Sequence, residues 1–347
     1  MRNAVLFAFL FAAIAATAAV PLATPHITPG SYGQTNAFIT SNGRQFLIVC
    51  AQMRGSRFAL TGMRADEQGR PVDRMFVIAT DATHPLTPRG VASDGEGYVV
   101  IAYTDQSSHA DFLRLDEQAR ITRAGTLPLS TTSIAWGGSA YVAGSTRDLD
   151  GIATIIDADG TVVRSTPLVT HLGQPGTFRV WPGTAGNVIA TWIADDGHVR
   201  AIAAPVPALR NGTYVAPAAA LSGPIAGPIA DSLSGAVVAS SSSESLAVWN
   251  DPADGIHAQR LDQNASPAGE PFLVARTGHE SSRIAVSAAG SQFLAAYSDS
   301  HGVHLSIVSG PNVTPLPDPD RRPEPVPVLL SSGDFGSLLI WNNLQLY

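Results

Sequence analysis

One pattern recurs seven times along this chain and limits its fold more than any other feature. A small or polar cluster leads into an apolar, strand-like run that closes on an aromatic in most copies. The copies read "ITSNGRQFLIVC", "VASDGEGYVVIAY", "IAWGGSAYVAGS", "VWPGTAGNVIATW", "VASSSSESLAVW", "AVSAAGSQFLAAY" and "LLSSGDFGSLLIW". Their anchors are Phe46, Tyr98, Tyr141, Val188, Leu246, Phe293 and Leu338, at steps of 52, 43, 47, 58, 47 and 45 residues. Five copies close on Tyr103, Trp192, Trp249, Tyr297 and Trp341, while Cys50 and Ser145 stand at the other two. A polar stretch with Asp or Gly follows, then a third strand-like run. In four units an Asp corner comes next (Asp66, Asp116, Asp157, Asp262), followed by a fourth run.

Four short strands per unit of roughly 40–50 residues is the period of a β-propeller blade. A lone sheet of this size leaves two apolar faces and its edges in water. Radial stacking covers the faces, and ring closure leaves only short edges. The fold expected is therefore all-β, a β-propeller of seven four-stranded blades. Residues 37–347 form that single domain. The last unit stops soon after its aromatic strand, so its blade is either incomplete or closed by residues 24–36, which could add an outer strand. The Pro-rich stretch 310–328 reads as the longest loop.

The segment "LAVWNDPADGIHAQRLDQNASPAGEPFLVA" (246–275) resembles a repeat of secreted bacterial propeller-like proteins. Trp249, Asp251, Ile256, Ala258, Arg260, Leu261 and Asp262 match its W-x-D and I-x-A-x-R-L-D pattern, with Gly269 displaced by a longer turn. "AYTDQSSHADFLRLDEQARIT" matches at Tyr103, Asp105, Arg114, Leu115 and Asp116, with Ala119 in place of the Gly. The resemblance spans most of residues 37–347. It implies an architecture and carries over no catalytic residue.

Composition narrows the address and the chemistry. Residues 1–23 combine one Arg, an apolar run and small residues at "ATAA", the make-up of a secretory signal peptide. A membrane span over the same run is the rival reading, at about the minimum length. The expectation is cleavage between Ala16 and Thr24 and a secreted or periplasmic protein off the membrane. All 21 basic residues are Arg, so no lysine is present to form a Schiff base or to fill a phosphate loop. A net charge of −7 with scattered Arg gives no nucleic-acid footprint. The single Cys50, inside "FLIVCAQ", reads as a buried apolar side chain and excludes an intrachain disulfide framework.

The acidic clusters have two readings. Asp66/Glu67, Asp116/Glu117 and Asp157/Asp159 could be acid–base pairs, but Asp-x-x-Gly between strands is first a turn signal. "DLDG" (148–151) and "DADG" (157–160) open like calcium loops without the acidic residue that should follow, so calcium is the one cofactor left open. Ser332, Asp334 and Gly336 match half of a sialidase-type Asp box. His109, His198, His257 and His304 recur near the start of the third run, while His301 and His304, three apart, should face opposite ways. The loop residues that stand out as candidates are Asp105, Asp195, Asp251, Asp299, His257 and His304. The reading favoured is a monomeric binding or surface-interaction module with an extracellular glycan or protein as ligand. The alternative is a carbohydrate-active enzyme, glycosidase or sialidase-like, with carboxylates near a central channel.

Overall fold

The computed structural model describes residues 5–10, 26–27, 34–54, 57–81, 84–104, 106–128, 130–215, 226–228, 236–251, 255–277, 283–318, 328–333 and 336–342. Their strands pair in seven antiparallel four-stranded sheets. Sheet I contains Gln34–Ser41, Phe46–Arg54, Arg57–Ala65 and Phe76–Asp81. Sheet II contains Leu86–Ser93, Tyr98–Thr104, His109–Leu115 and Ile121–Pro128, and sheet III Ser133–Trp136, Tyr141–Arg147, Asp150–Ile156 and Val162–Val169. Sheet IV contains Gln174–Pro182, Asn187–Ile193, His198–Pro205 and Ala226–Pro228; sheet V contains Val237–Ser240, Ser245–Asp251, Gly255–Leu261 and Phe272–Ala275. Sheet VI contains Arg283–Ala289, Gln292–Asp299, Gly302–Ser309 and Asn312–Pro315.

Each of these six sheets is a meander whose strands lie side by side in chain order. The first strands contact one another in sequence from I to VI, then through Val328–Gly333 of sheet VII back to sheet I, a closed cycle. The first strands are thus innermost. The turns between second and third strands, and the connections between sheets, share one face of the ring, here the loop face. The first turns and the third-to-fourth corners share the opposite face, the corner face.

Sheet VII pairs Val328–Gly333 with Gly336–Asn342, then adds Val5–Leu10 and His26–Ile27. Two N-terminal strands therefore complete this sheet, where the sequence left it either incomplete or closed by one outer strand from residues 24–36. The first of them falls inside the stretch read as a signal peptide. Sheet I begins at Gln34, three residues before the expected domain start. The Pro-rich stretch 310–328 is not one loop either. Asn312–Pro315 is the outer strand of sheet VI, and Pro315 is tolerated there because an outer-edge residue needs no second ladder partner.

Apolar runs without alternation follow from burial on both faces. In sheet II, Tyr98, Val100 and Ala102 pack toward Leu47, Val49 and Leu60 of sheet I. The intervening Val99 and Ile101 pack toward Ile134, Tyr141 and Ile156 of sheet III. The same division recurs onward: Val142 and Ile155 meet Phe178, Val188 and Trp192, and Val248 and Ile256 meet Phe293, Ala295 and Val308. Each fully buried Val, Leu or Ile contributes about 1.5–3 kcal/mol, so the cores lie between sheets and successive sheets hold each other. Cys50 is buried, with its Sγ 3.2 Å from Thr61 Oγ1.

Candidate functional site

The Asp corners are fasteners. At Asp66, Asp116 and Asp262 the backbone N–H donates to the carbonyl of the residue four on, Arg70, Arg120 or Ser266, at 2.9–3.0 Å. One carboxylate oxygen of each accepts the returning N–H of that same residue at 2.9 Å. The residue three after the Asp has positive φ: Gly69 (68°), Ala119 (61°), Gly160 (86°) and Ala265 (61°). Gly269 is therefore not a displaced corner glycine, because Ala265 occupies that position. Burial of the Ala265 and Ala119 methyl groups between sheets offsets the cost of a left-handed alanine. Where sheet IV lacks the Asp, the helix Val206–Asn211 turns the corner, burying Val206 and Leu209 and ending at Gly212 (φ 73°).

The Arg of "RLD" links one corner to the next. Arg114 pairs with Asp94 at 2.6 Å, with both side chains at or below 10% exposure, and donates to the carbonyls of Tyr98, Leu115 and Ala158. Ala158 belongs to the corner of sheet III. Gly97 leaves room for this guanidinium, since a Cβ there would lie 2.4 Å from its Nη1. Arg64 likewise pairs with Asp73 and donates to the Glu117 carbonyl in the corner of sheet II, and Arg260 pairs with Glu244. Arg210 reaches from the helix of sheet IV back to Asp157 at 2.9 Å. Asp159 accepts from Thr161 and sits 3.4 Å from Arg123, so both carboxylates of "DADG" serve the corner. Recesses of about 470 Å³ (between the corners of sheets II and III) and 450 Å³ (between I and II) open on this face. Except for Glu96, their charged walls are these paired side chains.

The loop face differs. His304 Nε2 lies 2.9 Å from Asp299 Oδ1, its Nδ1 lies 3.0 Å from Asp318 Oδ1, and its ring stacks on Tyr297 at 5.0 Å. Burial pushes the His304 pKa down, but the hydrogen bonds and charges of Asp299 and Asp318 outweigh it and hold it above the ordinary value. Burial pushes Asp299 up, and His304, the His301 N–H and the two imidazole charges more than reverse this, holding it low. His301 lies in the turn, not on the strand, so it too reaches Asp299, at 3.6 Å. The imidazole of His304 fills the gap between the Asp299 and Asp318 carboxylates, so these two cannot flank a glycosidic bond.

The four histidines are not equivalent. Across the second and third strands, Trp249 faces His257 and Tyr297 faces His304, whereas Tyr103 faces Ala110 and Trp192 faces Arg200. His109 and His198 sit one and two residues short of the matching position. His257 stacks on Trp249 at 5.9 Å. Asp195 is exposed in its turn, and Asp251 is half-buried at the start of the next. Asp105 and Asp334 lie outside the described residues. No group of three or more His, Cys, Asp or Glu poised for a metal occurs among the described residues.

Two residues went unnoticed in the sequence: Arg89 and Arg179, on the innermost strands of sheets II and IV. The Arg89 guanidinium lies over the Tyr103 ring, 4.1 Å from its centroid, and its buried Nε has no hydrogen-bond partner. Arg179 Nη1 donates to the carbonyls of Gly176 and Phe178. Burial, with the Arg89 charge adding to it, pushes Arg179 down to about 10. Both sit at irregular points of their strands, where pairing shifts between Pro88 and Gly90 and between Gln174 and Arg179. Such irregularities re-aim a side chain.

Six meanders and a seventh sheet built from both ends of the chain, with inner strands that close a cycle, decide the architecture. The fold is a β-propeller. Solved structures match it: the propeller domain of the Trilobed protease from Pyrococcus furiosus (TM-score 0.53, 9% identity, 87% of this chain and 88% of that one), and the WD40 domain of coronin from Toxoplasma gondii (0.52, 10%, 89% and 81%). An acylaminoacyl peptidase from Pyrococcus horikoshii matches at 0.53 and 10% identity, with 89% of this chain covering 48% of that one. No family model and no curated protein matches. At these identities the likeness is one of fold, and this propeller's use has to come from its own side chains. No helix among the described residues is long and apolar enough to cross a membrane.

Proposed function

We propose that this propeller is an exported, monomeric binding module that takes an extracellular glycan or protein on its loop face and does no chemistry on it. One observation supports the reading: aromatic side chains near the loop ends of second strands carry a cation or imidazole in three sheets. These are Arg89 on Tyr103, His257 on Trp249 and His304 on Tyr297. Aromatic residues and Arg dominate binding hot spots, because they bring large contact area together with hydrogen-bond donors. The corner face, by contrast, spends its charges on fastening sheets. The reading calls on no cofactor.

The test is a thermal-shift screen of glycans and peptides on wild type and two variants. Tyr103→Ala with His257→Ala alters the loop face, and Glu117→Ala with Arg120→Ala alters the corner face. A ligand that raises Tm should lose its effect in the loop-face variant alone. Loss only in the corner-face variant sinks the reading, and turnover of aryl glycosides or sialosides would support the enzymatic alternative.

A further inference from the structure

Within the loop-face reading, on which this inference rests, one feature of the propeller points to the chemistry of the ligand. Arg89 and Arg179 are cations on inner strands of sheets II and IV, and no carboxylate among the described residues pairs with either. The inner strand of sheet III separates them, and it is short: it starts only at Ser133. Before it stand Thr131 and Thr132, whose hydroxyls donate to the carbonyls of Pro128 and Phe178. Thr87 faces Tyr103 and Arg179 faces Thr191 in the ladders, which puts both arginines in the loop-face part of their strands.

Each guanidinium is also held in place. Arg89 rests on the Tyr103 ring, a cation–π contact that fixes its plane. Arg179 is tied by one nitrogen to two carbonyls of its own strand, which leaves Nε and Nη2 free of those bonds. A guanidinium has five N–H donors in a rigid fork suited to oxyanions. Here most of those donors lack a protein acceptor, and the buried Nε of Arg89 lacks one altogether. The Arg89 charge acts on Arg179, and no carboxylate among the described residues neutralises either. A structural role would call for a carboxylate, as Asp94 provides for Arg114. A negative group from outside the chain fits what is missing.

The geometry points to an anion site at the loop-face mouth of the central channel, in which Arg89 and Arg179 together hold a doubly charged oxyanion group of the ligand, of the sulfate or phosphate class. The arginines would bind it through charge-assisted hydrogen bonds, the strongest kind available to a side chain.

Isothermal titration with inorganic sulfate, and separately with inorganic phosphate, tests this against chloride at matched ionic strength. The expected result is saturable binding of at least one dianion by wild type, weakened about tenfold or more in Arg89→Gln and in Arg179→Gln, and unchanged in Arg120→Gln on the corner face. Which dianion binds more tightly identifies the group. Without a dianion, both variants should be at least as thermostable as wild type, because each removes a repelling charge. If a variant fails to fold, selenate diffusion into wild-type crystals takes its place: anomalous density should lie within hydrogen-bond reach of both guanidiniums. Absence of saturable binding, binding that survives both substitutions, or selenate held only elsewhere overturns the site. A glycan or peptide that still depends on Tyr103 and His257 while sulfate and phosphate do nothing would overturn the anion site and leave the loop-face reading standing.

Discussion

Arg114→Met is the sharpest test of the corner-to-corner links. The substitution keeps most of the apolar stem and removes the guanidinium. In the folded protein that group pairs with Asp94 at 2.6 Å, with side-chain exposures of 10% and 5%, and donates to the carbonyls of Tyr98, Leu115 and Ala158. It also lies over the Tyr141 ring of the next sheet at 5.7 Å. Removing one member of a buried pair costs about 3–5 kcal/mol, because the remaining charge stays buried. Asp94 keeps two backbone donors, the N–H groups of Glu96 and Gly97, so the lower end applies, about 3 kcal/mol. Arg120→Met is the matched control. Its ion pair with Asp116 is of similar length, 2.7 Å, but the Arg side chain is 74% exposed, and such pairs contribute about 0–1 kcal/mol. Urea unfolding followed by tryptophan fluorescence should show the two variants separated by about 2 kcal/mol or more. Asp94→Asn in the Arg114→Met background should then cost much less than it does alone. Equal losses for Arg114→Met and Arg120→Met, or additive effects of Asp94→Asn and Arg114→Met, would refute the link.

Other outcomes follow from the same structure. His304→Asn should lower Tm most between about pH 4 and 6.5. The raised His304 pKa contributes stability below its unfolded value that is lost as pH rises through the folded one, and the depressed Asp299 pKa contributes above its own unfolded value and is lost as pH falls. A difference that does not change with pH would contradict the cluster. Gly212→Ala should cost more than the ~1 kcal/mol of an alanine at positive φ, measured by urea unfolding, since its Cβ would also lie 1.4 Å from Arg164 Nη1. Mass spectrometry of the exported protein should find an N-terminus between Ala16 and Thr24; an intact Met1 would contradict the signal-peptide reading.

The repeat was legible because each unit solves the same problem with the same residues. The anchors from Phe46 to Phe293 all stand at the start of second strands, and Asp66, Asp116, Asp157 and Asp262 all turn corners. What escaped depends on register and φ. Ala265 looks ordinary in "LDQNAS", yet it holds the left-handed position that the eye gave to Gly269. His109 and His257 look alike in sequence until strand pairing separates them by one residue. Arg89 and Arg179 belong to no repeated position, and it is the stacking of sheets II, III and IV that leaves a single inner strand between segments ninety residues apart. A signal was present: in inner strands otherwise rich in Ala, Ser, Thr and Val, an Arg in "TPRGV" or "TFRVW" is a charge in a crowded place.

The proposed division of labour has one face of the ring fastening sheets while the other meets the ligand. A diffraction structure of the exported chain tests it most directly. It should show sheets I to VI and the pair Val328–Gly333 and Gly336–Asn342 about one axis, with Asp66, Asp116, Asp157 and Asp262 on one face and Arg89, Arg179, His257 and His304 toward the other. A ring that leaves out residues 328–342, or a corner aspartate on the same face as Arg89 and His304, would contradict it.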